Sequence, residues 1–210
     1  MNKALGLRRL EEEMAEDRSL SLREANLVFG EGDPDASTML IGEAPGYYED
    51  RERRPFVGRA GKLLDKLIEE SGHRRAEFYI TNILKRRPPN NRDPFPQELE
   101  TYGPYLERQI NIISPKVIAA LGRYAMDYFL PNGKISRDQG KIFWWKDILL
   151  IPLYHPAAAL RRADLVNDIL SGLRQVSYLT REYDSLLKKR GEDNKADAQR
   201  KTREQPKLFT

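Results

Sequence analysis

The sequence predicts an α/β fold, a three-layer α/β/α sandwich around a central, mainly parallel four-stranded sheet. Three observations predict it. Apolar runs at 38–42, 78–82, 116–122 and 148–153 have the length of strands, and segments with apolar residues at helical spacing separate them. No internal repeat interrupts the alternation. Strands that alternate with helices form a parallel sheet covered on both faces, and ligands then lie beyond the carboxyl ends of the strands.

Each element follows from its residues in order. Leu7, Leu10 and Met14 recur at helical spacing and predict a helix within an N-terminal segment, residues 1–26. The first buried strand, TMLIG at 38–42, runs into a Gly/Pro-rich loop at 42–46 and a charged stretch at 49–54. Leu63, Leu64, Leu67 and Ile68 share one face of a helix over 58–71 that Gly72 stops. The second strand, FYITN at 78–82, delivers the chain to a basic, proline-rich loop at 85–96. Pro96 opens a helix with the stripe Leu99, Tyr102, Leu106, Ile110 and Ile113, which ends before Pro115. A third strand at 116–122, a short helix at 123–130 and a turn at 131–134 follow. A hairpin around Lys146-Asp147 leads into the strand 148–153, which carries Tyr154, His155 and Pro156 at its end. Leu165, Ile169, Leu173 and Val176 mark a closing helix, and the charged, aperiodic residues 184–210 are expected to be a disordered tail. Residues 1–183 thus make one domain.

Composition narrows the function classes. A chain of 210 residues with 40% hydrophobic content suits one core, burying roughly 70% of the surface exposed when unfolded. No apolar run reaches the ~20 residues that a membrane helix needs. The first twenty residues are dense in both charges and lack the pattern of a secretory signal, so a cytoplasmic location is expected. There is no cysteine, which excludes disulfides, thiolate metal sites and cysteine nucleophiles. A net charge of +4 with a pI of 9.2 puts any attraction to nucleic acid in clustered charge, and Lys85, Arg86, Arg87 and Arg92 form such a cluster. Alone, that run would read as a solvated surface.

The motifs carry more. GEAPG at 42–46, Glu49-Asp50, RPFVGRAG at 54–61, YITN at 79–82, K-x-RPP-x-NRDP at 85–94 and HPA-x-x-L at 155–160 occur in this order at strand ends. Together they resemble the family-4 uracil-DNA glycosylases, over residues 28–173. The resemblance implies a DNA repair enzyme that flips a uracil nucleotide out of the stack and hydrolyses its glycosidic bond, leaving an abasic site. Phe56 matches the family's stacking aromatic, with a core phenylalanine as the bland alternative. Asn82 matches the residue that reads the uracil edge, since a carboxamide presents a donor and an acceptor together. His155 matches a histidine that stabilises charge on the departing base, whereas His73, after a helix stop, reads as a surface residue. Glu43, Glu49 and Asp50 are the carboxylates available to place water and stabilise the sugar, and the turn around Glu49 is the preferred source. Gly42, Ala44, Pro45 and Gly46 form a loop whose small residues permit close main-chain approach to the base. The cluster Lys85, Arg86, Arg87 and Arg92 is expected on DNA phosphates. The segment from Pro156 to Leu160 is expected at the flipped site with Leu160 as a wedge, core packing being equally compatible.

The family's four-iron four-sulfur cluster has no ligands here. By the resemblance two of its four cysteines fall on Arg86 and Tyr102 and the N-terminal pair approximately on Ala15 and Arg18, none of which can replace a thiolate, so neither metal nor cofactor is expected. The Tyr102 ring is expected to fill the vacated volume, with Arg18 and Arg86 facing solvent or paired with Glu16 or Asp17. Other readings stay open: a uracil-DNA binding protein of the same fold with little turnover, and a nucleotide-binding protein using residues 42–46, which lack phosphate-loop spacing. Covalent trapping of DNA through a histidine in the 85–96 loop is disfavoured, because that loop has none. A monomer acting on uracil-containing DNA is expected. The terminal Gln205-Pro206-Lys207-Leu208-Phe209 resembles peptides that dock on the sliding clamp, with an inert tail as the alternative.

Overall fold

A computed structural model of the chain describes residues 2–204, with side chains placed through residue 194. Its elements are α1 (Lys3–Glu16), β1 (Glu31–Gly32), β2 (Thr38–Gly42), α2 (Tyr47–Glu52), α3 (Arg59–Glu70), β3 (Tyr79–Asn82), α4 (Pro96–Ile113), β4 (Val117–Leu121), α5 (Arg123–Phe129), α6 (Ile135–Asp138), β5 (Phe143–Trp145), β6 (Ile148–Leu153), α7 (Pro156–Ala159) and α8 (Leu165–Glu204). The sheet has six strands in the order β1-β3-β2-β4-β6-β5, rather than four. The four expected strands form its parallel centre, and β1 and β5 add antiparallel edges. Strand β1 has only two residues, too few to carry a period, while β5 is the first arm of the expected hairpin.

Alternation along the strands builds the two cores. Met39 and Ile41, with Ile118, Ala120 and Leu150, face the helices α1, α4 and α5. Leu40, Ile80, Val117, Ala119 and Ile151 face α3 and α8. Both faces of the central strands are buried, which is why they read as unbroken apolar runs. Helix α1 lays Leu7, Leu10 and Met14 on the first core and is pinned to α4 by the forked Arg108–Glu13 pair.

Helix α8 does not stop near residue 184 but continues to Glu204. Tyr183 and Leu186 still pack on the second core, and the Tyr183 hydroxyl donates to the Asp147 carbonyl. Beyond them, lysine, glutamate, alanine and arginine sustain a helix through propensity, which an apolar period cannot reveal. The Gln205-Pro206-Lys207-Leu208-Phe209 pattern lies outside the described residues. Among the described residues no helix is long and apolar enough to cross a membrane.

Candidate active site

The carboxyl ends of β2, β3 and β6 converge on a cavity of about 210 Å3 lined by Ala44, Gly46, Glu49, Phe56, Ala60, Asn82, Asn91, His155 and Ala157. Its floor is set by Gly42. A Cβ there would stand 2.4 Å from Asn82 Oδ1 and 2.5 Å from Phe56 Cζ, so only glycine lets ring and carboxamide meet over the end of β2.

Phe56 is buried, with a left-handed backbone, φ 53°, that a bulky residue seldom adopts. The conformation is held from outside. Arg75 donates to the Pro55 carbonyl at 2.7 Å and pairs with Glu31 and Asp65, so a guanidinium clamps the strained turn. No motif marked Arg75. The Phe56 ring lies 5.6 Å from the His155 ring at 30°, and the two form one aromatic wall.

Asn82 is 2% exposed, and its Oδ1 has no hydrogen-bond partner among the described residues. A buried acceptor left unpaired costs about 1–3 kcal/mol, and a donor on a bound base would satisfy it.

His155 caps α7 through Nδ1, which accepts the Ala157 N–H at 3.1 Å. Its pKa is lowered to about 4, chiefly by burial, with Glu49 opposing and Arg161 adding to the shift. The ring is therefore neutral near pH 7, and with Nδ1 accepting, the proton sits on Nε2. Gly122 makes room for it: with φ +94°, a Cβ there would lie 2.9 Å from the His155 Cβ.

The three carboxylates separate. Glu49 lines the cavity, and its Oε1 accepts the Val57 and Gly58 amides at 3.0 and 2.8 Å. Gly46 gives way to its Oε2, where a Cβ would stand 2.8 Å off. Glu43 lies outside the lining, pushed up to about 7 by burial, with Asp93 adding and Arg123 opposing. Asp50 is turned away, accepting the Asn26 amide at 2.7 Å and tying the N-terminal segment to α2. Pro45, within the loop, is buried. Asn91, from the proline-rich loop, joins the lining although only its motif had been noted, and Arg87 orients it through Nε to Oδ1 at 2.7 Å.

The basic cluster is not the solvent-facing patch the sequence suggested. Lys85 is fully buried, so its ammonium cannot reach a phosphate. Arg86 is buried too and donates to the Ala25 carbonyl, rather than facing solvent or an acid. Arg92 forks onto Glu98 at 2.6 and 2.8 Å and covers the Phe95 ring, so its charge is already paired. Arg87 is half-buried, 5.1 Å over the Tyr47 ring. Pro156 is buried in the first turn of α7, and Leu160 at its end is 41% exposed.

The four positions that the resemblance assigns to cluster cysteines hold no thiolate. Ala15 and Arg18 are exposed, whereas Tyr102 is fully buried and donates to the Ser21 carbonyl at 2.7 Å. Arg86 and Tyr102 thus tether the segment before β1 by hydrogen bonds to Ala25 and Ser21, and an iron-sulfur cluster does not fit these residues.

Residues 29–174 match the model of the uracil DNA glycosylase superfamily. The chain belongs to that superfamily. A type-4 uracil-DNA glycosylase of Sulfurisphaera tokodaii is 49% identical over 150 residues, 67% of this chain and 68% of the relative. One from Archaeoglobus fulgidus is 45% identical over 163 residues, 73% of this chain and 82% of the relative. One from Thermotoga maritima is 46% identical over 145 residues, 68% and 76% of the two chains. The superfamily match spans every strand-end loop that lines the cavity, from residue 42 to residue 157.

Proposed function

We propose that the chain is a monofunctional uracil-DNA glycosylase that acts on a flipped deoxyuridine in DNA and leaves an abasic site. The observation that carries this is the unpaired Oδ1 of Asn82 beside the Phe56 ring. Uracil offers N3–H and O4 along one edge. Asn82 accepts from the first through Oδ1 and donates to the second through Nδ2, whereas cytosine reverses both groups.

Superfamily membership and the neutral His155 support the chemistry. The bond from C1′ to N1 breaks, and its electron pair passes onto the base. His155 Nε2–H donates to the O2 oxygen where that charge collects, and a neutral donor suffices because the acceptor becomes anionic. Glu49, fixed by two amides, stabilises the cationic sugar and places the water whose oxygen bonds to C1′, and the proton that this water sheds ends on the departing uracil anion. Arg87 and the exposed Leu160 serve DNA binding, Leu160 as the wedge. The enzyme works as a cytoplasmic monomer, and residues 205–209 serve as its docking peptide for a sliding clamp.

A single-turnover assay on an oligonucleotide with one uracil tests this reading. Free uracil and an intact abasic strand are expected, with excess chelator present and no trapping by borohydride. Strand cleavage before alkali treatment, or no release at saturating protein, would refute it.

A further inference from the structure

Lys85 has no part in the reaction drawn above, yet it lies directly behind the residue that reads the base. Its Nζ donates to Thr81 Oγ1 at 2.5 Å, to the Asn82 carbonyl at 2.7 Å and to Gln109 Oε1 at 2.5 Å, and none of its atoms meets solvent. None of the three partners is a carboxylate. A buried cation held only by neutral acceptors is costly, and such groups concentrate where function requires them.

Each partner is compelled to accept. The Thr81 hydroxyl spends its proton on the Phe29 carbonyl at 2.7 Å. Gln109 turns Nε2 to the same carbonyl at 3.0 Å, which leaves Oε1 for Lys85. The Asn82 carbonyl has no proton to give. Three obligate acceptors need three hydrogens, which an ammonium has and a neutral amine lacks. Burial pushes the Lys85 pKa well below the ordinary lysine range, while hydrogen bonds accepted from the charged form favour it.

We infer that Lys85 is a positioning residue of the base site, a buried ammonium that locks the Asn82 main chain to β3 and α4 and so aims its carboxamide at the base. The inference rests on the proposed function. Asn82 ends β3 with its Oδ1 unpartnered, so main-chain contacts hold the residue in place. The ammonium binds its carbonyl and also grips Thr81 on the same strand and Gln109 on α4. The aim of the carboxamide thus depends on a residue that never touches DNA.

The test compares wild type, Lys85→Met and Thr81→Val by single-turnover release from uracil and cytosine oligonucleotides. DNA affinity is read separately by anisotropy. For Lys85→Met, release at saturating protein should fall roughly 10²-fold, the scale that an ångström of misplacement carries. Its preference for uracil over cytosine should narrow while DNA affinity stays within about twofold of wild type, a tolerance far below the tenfold that 1.4 kcal/mol represents. Thr81→Val should show a smaller loss of the same kind. A folded Lys85→Met with wild-type rate and selectivity overturns the inference, as does a loss explained wholly by weaker DNA binding. If Lys85→Met does not fold, Thr81→Val decides, and wild-type behaviour there overturns the inference. Silence of the wild-type protein would instead sink the glycosylase reading itself.

Discussion

Replacing His155 with alanine should slow base release by roughly 10²–10³-fold at saturating protein, the usual cost of removing one donor to a developing oxyanion. Affinity for uracil-containing DNA should stay near wild type, because the charge that Nε2–H stabilises exists mainly in the transition state. A loss of affinity with an unchanged rate would place the ring at the DNA surface instead. The same variant reports on protonation. Between pH 6.5 and 4 the unfolded chain takes up a proton on this residue and the folded chain does not, since the folded pKa is about 4. Wild type therefore loses stability as pH falls through that window, by up to about 3 kcal/mol relative to His155→Ala. Denaturant titrations of both proteins at pH 7 and pH 4 measure the difference.

Replacing Tyr102 with alanine should destabilise the protein by roughly 3–5 kcal/mol, the cost of emptying an aromatic site in a core. Tyr102→Phe keeps the ring and loses only the bond to Ser21, so about 1 kcal/mol is expected. Purified wild type should be colourless and free of iron, because no residue at the four positions supplies a thiolate. Stoichiometric iron would contradict that misfit, and a near-neutral Tyr102→Ala would contradict the view that the buried ring and its bond to Ser21 hold the segment before β1.

The central sheet and the residues that meet at its carboxyl end were legible in the sequence for different reasons. Strands buried on both faces announce themselves as apolar runs, and β2, β3, β4 and β6 fall within a residue or so of their expected bounds. Phe56, Asn82 and His155 were legible because their motifs stand at strand ends, and the parallel sheet brings those ends together. The basic cluster misled. Lys85, Arg86 and Arg92 look alike as a charge run, but one is sealed behind the end of β3, one donates to the Ala25 carbonyl and one forks onto Glu98. Charge alone does not tell a solvated arginine from a buried one, because partners up to 61 residues away decide it. Arg75 was silent for the same reason: its meaning lies in Glu31, Asp65 and the Pro55 carbonyl, which the sequence scatters. The reach of α8 past residue 184 depends on helix propensity in a charged stretch, where no buried stripe marks the path.

The central claim is that the unpaired carboxamide of Asn82, facing Phe56 and His155, selects the base that is released. It is tested most directly by single-turnover release from matched oligonucleotides carrying uracil, cytosine or thymine, for wild type and Asn82→Asp. Wild type should release uracil and leave cytosine in place. Asn82→Asp should release uracil far more slowly and gain on cytosine, since a protonated carboxyl offers the complementary donor and acceptor. A variant that keeps both the wild-type rate on uracil and its rejection of cytosine would contradict the claim and place base selection elsewhere.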